Sequence, residues 1–158
     1  MREIPPLDKE PGRKTPAKGV TISPDQPTIL LLTVCAKDRK PWMAQRSVQH
    51  SLEDIWRKAD TWLAGDYLLM PDHLHLFCAS RDLHFTVEGW VTFWKRQFTR
   101  EHLNKDWAWQ RSAFHHRLRS AQEYEDKWIY VQENPIRKGL VSKVEEWPFS
   151  GMIHDLRW

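Results

Sequence analysis

The chain is predicted to fold as an α+β sandwich, an antiparallel sheet with helices packed on one face. Three observations predict it. Short β-prone apolar runs alternate with amphipathic stretches of helical period. Their order is strand, helix, hairpin, helix, strand, helix, which is close to the ferredoxin-like arrangement. The length of 158 residues, with 41% hydrophobic and 28% charged side chains, suits one compact soluble domain and hardly two. No apolar run approaches the roughly 20 residues of a membrane span, so no membrane partner is expected. The opening segment MREIPPLDKE has no apolar core and is not expected to be a secretory signal. Two cysteines, Cys35 and Cys78, cannot make a disulfide framework and read as reduced thiols of a cytoplasmic protein.

Residues 1–27 are rich in proline and basic side chains and poor in large apolar ones. They are expected to form an extended, flexible arm, with residues 28–158 as the single domain. Thr28–Cys35 is a continuous β-prone run, as in a strand covered on its faces. From Arg46 to Ala64, Val48, Leu52, Ile55, Trp56, Ala59 and Leu63 recur at helical steps, and Gly65 is expected to stop that helix. Tyr67–Met70 and His73–Ala79 read as a hairpin turned at Pro71-Asp72. Thr86–Leu103 is a second helix, with Val87, Trp90, Val91, Trp94 and Phe98 on one face. Trp107–Gln110 and Phe114–Leu118 are short strand candidates. Ser120-Ala121-Gln122-Glu123 matches a capping box and opens a third helix over 121–134, ended by Pro135 and Gly139.

Charge and tryptophan are unevenly used. Residues 81–119 carry eight basic and four acidic side chains, whereas 120–158 carry five and seven. A basic middle segment suits a polyanionic partner, although such a balance is also common on solvated surfaces. Of the ten tryptophans, Trp56, Trp90, Trp94 and Trp128 have helix-core spacing. Trp42, Trp107 and Trp109 lie near predicted loops or edges, where they could stack on bases.

The sharpest local feature is Met70-Pro71-Asp72-His73-Leu74-His75-Leu76-Phe77. On a strand His73 and His75 share a face, about 7 Å apart, and Leu74 and Leu76 take the other. Two imidazoles so placed can bind one divalent cation, or can simply be partly exposed strand histidines. A cation would need a third ligand from elsewhere. Tyr130 and Asn134 are four residues apart and share a helical face, away from the stripe of Tyr124, Trp128 and Val131. That phenol is either a surface hydrogen-bonder or a placed nucleophile.

These residues carry a resemblance. His73-Leu74-His75 is an HUH motif, two His around one hydrophobic residue. The run Trp128-Ile129-Tyr130-Val131-Gln132-Glu133-Asn134-Pro135-Ile136-Arg137-Lys138-Gly139-Leu140-Val141 resembles the C-terminal signature of the REP-associated tyrosine transposases, relatives of the single-tyrosine transposases of small insertion sequences. Phe114–Ser120 and Glu146–Ser150 are similar to that family as well. The resemblance implies that His73, His75 and Asn134 hold a divalent metal, Mg²⁺ or Mn²⁺. It implies that Tyr130 is the nucleophile that cleaves single-stranded DNA, giving a 5′-phosphotyrosine and a free 3′-hydroxyl, with hairpin-forming repeats as targets. Strands could then be rejoined. Asp72 stands where many relatives carry Asn, a mild change in the turn. The sequence ends at Trp158, without the long basic tail of some relatives.

Lys95, Arg96 and Arg100 on the second helix, with Arg111, Arg117 and Arg119 around the strands after it, are candidate phosphate contacts; ordinary surface charge is the alternative. His115 or His116 could assist the site, or both could be structural. A monomer and a homodimer are both compatible with the family. Two rival readings remain: a non-catalytic nucleic-acid-binding module on the same fold, and a metallohydrolase using His73 and His75 with water as nucleophile.

Overall fold

The computed structural model describes residues 28–82 and 84–156; the expected arm at 1–27 lies outside the described residues. The elements are β1 (Ile29–Cys35), α1 (Arg46–Lys58), β2 (Trp62–Leu69), β3 (His73–Ser80), α2 (Val87–His102), β4 (Phe114–Leu118), α3 (Ala121–Gln132), α4 (Asn134–Arg137) and β5 (Ser150–Met152). The strands form one antiparallel sheet in the order β4-β1-β3-β2-β5. The first four carry the ferredoxin-like strand–helix–strand–strand–helix–strand path expected from the sequence, and β5 adds a short edge.

Period-two alternation divides the sheet into two buried faces. Leu30, Leu32 and Val34 of β1 and Leu74, Leu76 and Cys78 of β3 meet Leu52, Ile55 and Trp56 of α1 and Trp90, Trp94 and Phe98 of α2. Ile29, Leu31, Leu68, Phe77 and Leu118 form the other face, covered by Tyr130 and Val131 with Tyr124 and Trp128 packed alongside. The helices were expected on one face. That holds for α1 and α2, the two crossovers, but α3 lies on the opposite face. Its reason is Phe77: the ring is fully buried, 4.4 Å between centroids from Tyr124 and 5.8 Å from Trp128, and would otherwise face water.

Three further expectations are corrected. The first helix stops at Lys58, and Trp62–Gly65 belong to β2, where Trp62, Leu63 and Ala64 pair with Ser80, Ala79 and Cys78. The spacing of Leu63 fits a helix by coincidence; the ladder partner decides. Gly65 is therefore no helix stop. It sits at a register shift, where an added Cβ would lie 2.5 Å from Leu156 Cδ1. Trp107–Gln110 forms no strand, only one bridge between Trp109 and Ala36. Trp42 is buried, stacked 5.4 Å from Phe98 and 5.9 Å from Trp107, and is not available for a base. Trp107 and Trp109 are half-buried against the same cluster.

Trp94 is the centre of the α1–α2 layer, edge-on to Trp56 and Trp109 at 5.6 and 5.4 Å. Trp94→Ala is expected to destabilise the protein by about 3–5 kcal/mol, by lost transfer energy and a residual cavity. Urea unfolding followed by circular dichroism measures this, and a loss under 1 kcal/mol would contradict the packing.

Candidate functional site

His73 and His75 lie at the start of β3 on the α3 face, both buried, with ring centroids 4.9 Å apart at 86°. Each ring is held from behind. The Asp72 carboxylate is 2.7 Å from His73 Nδ1, and Arg39 Nε donates to the second Asp72 oxygen at 2.9 Å. An ionised carboxylate only accepts, so the hydrogen-bond network assigns the proton to His73 Nδ1 and a lone pair to Nε2. The bond from His73 comes first, and that from Arg39 adds to it, in holding the Asp72 carboxyl well below the usual range against its partial burial. Asp72, read from the sequence as a mild change in a turn, is thus the orienting partner of His73. His75 Nδ1 lies 3.1 Å from Thr33 Oγ1, its cross-strand neighbour on β1. Burial comes first, and the neighbouring His73, Arg137 and Arg39 add to it, in keeping the His75 imidazole well below its ordinary pKa and hence neutral.

Both Nε2 atoms face Asn134, whose Nδ2 is 3.4 Å from each. Asn134 is 1% exposed, and its Oδ1 has no hydrogen-bond partner. Oxygen and nitrogen of an amide exchange by rotation, so turning it over aims Oδ1 at both imidazole lone pairs. Three neutral donors then converge at a spacing close to the roughly 3 Å between neighbouring ligands of an octahedral Mg²⁺. Among the described residues no group of three His, Cys, Asp or Glu could hold a metal, so a metal at this point would need the amide as its third ligand. The donor set fits a hard or borderline divalent ion.

α3 brings Tyr130 to this face. Ser120 Oγ accepts from Glu123 N at 3.0 Å and opens the helix; Glu123 reaches back to Arg119 N at 2.7 Å, one residue short of a reciprocal capping box. Tyr124 Oη donates to Asp66 of β2 at 2.5 Å and pins the first turns. Contrary to the spacing argument, Tyr130 does not point away from the buried stripe. With Val131 it is one of the two buried residues of α3, whereas Tyr124 and Trp128 are half-buried. Nor is Asn134 on α3. That helix ends at Gln132, and Asn134 opens the separate turn α4, because Pro135 has no N–H to continue the ladder. Arg137 of α4 lies over the Tyr130 ring, its Cζ 3.8 Å from the centroid. Sequence reasoning missed Arg137, although its seven-residue offset from Tyr130, two helical turns, was a usable signal. Thr33 and Arg39 carried no signal, being placed by pairing and by a loop.

The basic candidates are not part of this cluster. Lys95, Arg96, Arg100 and Arg111 line an exposed groove along α2, the helix that covers the other face of the sheet. Lys95 is half-buried there; its Nζ donates to the Gln110 carbonyl at 3.0 Å, and burial pushes it down to about 8. Arg117 pairs with Leu30 and so takes the α2 face of β4, and exposed Arg119 follows the strand. His115 and His116 point to opposite faces and meet Glu88 at 3.2 Å and Glu123 at 2.8 Å. Neither is a donor of the imidazole–amide cluster.

Comparison with known proteins bears on this geometry. A REP-associated tyrosine transposase of Escherichia coli is 28% identical, over 57% of this chain and 54% of its own length. A Haemophilus influenzae protein described by the same family name is 27% identical, over 56% of this chain and 58% of its own. A solved structure of a REP-associated tyrosine transposase bound to a REP hairpin superposes with a TM-score of 0.68, at 22% identity, covering 89% of this chain and 81% of that one. This chain resembles the REP-associated tyrosine transposases. The resemblance is one of sequence over half the chain and of fold over most of it. The chain spans little more than half the length of the two curated relatives (58% and 54%). No protein-family model matches it. Among the described residues no helix is long and apolar enough to cross a membrane.

His116 is 4% exposed and shares Glu123 with the entry to α3. Glu123→Ala is expected to cost about 1–3 kcal/mol, because a buried imidazole loses the carboxylate at its Nε2. Thermal melting tests this; an unchanged midpoint would mean that water replaces the carboxylate at no cost.

Proposed function

We propose that this protein is a metal-dependent, single-tyrosine DNA strand transferase acting on single-stranded DNA with hairpins. The observation that carries the reading is the convergence of His73 Nε2, His75 Nε2 and Asn134 on one point, with Tyr130 buried on the same face one helical turn before Asn134. A binding module needs neither the orphaned amide oxygen nor two imidazoles held by their far nitrogens. Similarity to transposases, one of them bound to a REP hairpin, supports the substrate class.

The mechanism follows from the side chains. His73, His75 and Asn134 are the residues that would hold Mg²⁺ or Mn²⁺, and the ion would supply Lewis-acid chemistry for phosphoryl transfer. Asp72 and Thr33 fix the two imidazoles with Nε2 forward, which orients the ligands before any ion arrives. The Tyr130 oxygen attacks phosphorus, the bond from phosphorus to the 3′-oxygen breaks, and the proton count balances as phenol gives way to a 3′-hydroxyl. The phosphotyrosine keeps the phosphodiester energy, so a second 3′-hydroxyl can reverse the step on another strand. Packing of α3 on its own sheet, through Tyr124–Asp66 and Phe77, allows one chain to carry the whole constellation. Arg96, Arg100 and Arg119 supply exposed positive charge for the DNA backbone, with half-buried Arg117 beside them on β4, and half-buried Lys95 sets the groove wall.

Incubation with hairpin-bearing single-stranded oligonucleotides and Mn²⁺, followed by a denaturing gel, is expected to give a covalent protein–DNA adduct. Tyr130→Phe should abolish the adduct while keeping the melting temperature and DNA affinity. Cleavage without an adduct would favour the metallohydrolase reading instead, and an adduct from Tyr130→Phe would remove the nucleophile assignment.

Two further outcomes probe the ligands. Asp72→Ala is expected to weaken Mn²⁺ binding about 10–100-fold by releasing the His73 ring. Asn134→Ala should weaken it at least as much, with a stability loss of about 1 kcal/mol, the net worth of a lost side-chain hydrogen bond. Isothermal titration with Mn²⁺ reads both, and unchanged affinity in Asn134→Ala would place the third ligand elsewhere.

A further inference from the structure

Arg137 is neither a metal ligand nor a nucleophile, yet it sits on the Tyr130 side of the cluster. α4 begins with Asn134, and its fourth and last residue, Arg137, places the guanidinium over the Tyr130 ring, 3.8 Å from the centroid. Nη2 donates to the Tyr130 carbonyl at 2.8 Å. That one bond explains a helix-terminus cap, since the Tyr130 carbonyl lies in the last turn of α3. It does not explain the rest of the group. Nε and Nη1 are both closed off from solvent and have no hydrogen-bond partner. The nearest carboxylate, Glu133 Oε1, is 3.9 Å from Nη1, beyond hydrogen-bond reach. Leaving such donors buried and unfilled costs about 1–3 kcal/mol, more for a charged group, which a purely structural arginine would avoid.

Charge points the same way. The imidazoles and the amide supply three neutral donors, so no carboxylate among them neutralises this cation. Asp72, the nearest acid to the histidines, is engaged by His73 and Arg39. An anion is the group that would fill the Nε and Nη1 donors, and the reaction proposed above brings one, a phosphodiester, to the Tyr130 oxygen. We propose that Arg137 is a catalytic residue that binds the non-bridging oxygens of the scissile phosphate through Nε or Nη1 and stabilises the extra charge they gain as Tyr130 attacks. This rests on the strand-transfer reading. Arginine suits the role better than lysine, since its planar group can hold the Tyr130 carbonyl and a phosphate oxygen at once.

The test uses the full chain, the adduct assay and a wild-type cleavage position mapped first. Arg137→Gln keeps an amide donor for the Tyr130 carbonyl but loses the charge. It is expected to lower the single-turnover rate of adduct formation at saturating oligonucleotide about a hundredfold, the scale of losing one preorganised oxyanion donor. The melting temperature and half-saturating DNA concentration should stay near wild type. Replacing the scissile phosphate by a methylphosphonate removes the charge that Arg137 meets, so on that oligonucleotide the gap between wild type and Arg137→Gln should shrink below tenfold. Arg137→Met, which also loses the charge, carries the same comparison if the Gln variant does not fold. A rate within threefold of wild type, or a loss that follows the folded fraction alone, or an equal gap on both linkages, would overturn the assignment. If wild type itself gives no adduct, the strand-transfer reading fails and takes this one with it. If wild type gives one and Arg137→Gln matches it, only this one fails.

Discussion

A slip of one residue in β3 would exchange its two faces. Leu74, Leu76 and Cys78 would leave the layer formed by α1 and α2, and His73, His75 and Phe77 would take their place. The register is held on both sides, by seven paired residues of β1 and by the hairpin to β2. Those partners bury the imidazoles without ligating them. Burial keeps His75 neutral, and neutrality is what lets it offer a lone pair. The apolar packing of one face thereby sets the chemistry available on the other.

Support from behind gives the site its definition. Thr33 sits across the ladder from His75, and Asp72 ends the tight turn that starts β3. Arg39 reaches Asp72 from a loop in which both Asp38 and Arg39 adopt left-handed backbone, φ 56° and 55°. Such conformations cost free energy in residues with a Cβ, and here they deliver a guanidinium to the acid that orients a histidine. The imidazoles therefore need little rearrangement to act as a pair.

α3 and α4 bring the remaining groups from a second rigid unit. The break between them at Glu133, forced by Pro135, turns Asn134 inward while Tyr130 stays on the preceding turn. A continuous helix would carry both on one stripe; the break lets the amide approach both rings at 3.4 Å. This answers how the short Asn side chain reaches the sheet. The basic groove on α2 lies beyond the opposite face, so the basic side chains and the imidazole cluster occupy different sides of one sheet.

Much of this was legible in the sequence. Period two put His73 and His75 together, capping chemistry placed the start of α3 at Ser120, and helical spacing marked Trp56, Trp90 and Trp94 as core. These are local properties, fixed within one element. The sequence did not determine which layer covers a given face, because periodicity reports only the relative orientation of residues in the same element. So Trp62–Gly65 passed for the end of a helix until β3 supplied a ladder, and Trp42 passed for a surface ring until Phe98 and Trp107 stacked on it. Tyr130 read as outward-facing because its stripe has no second apolar member; only the docking of α3 against Phe77 buries it. Thr33, Arg39 and Arg137 joined the site through strand pairing, a left-handed loop and a proline-broken helix. Each depends on contacts between residues far apart in the chain or across a helix break, and such contacts leave no period to read.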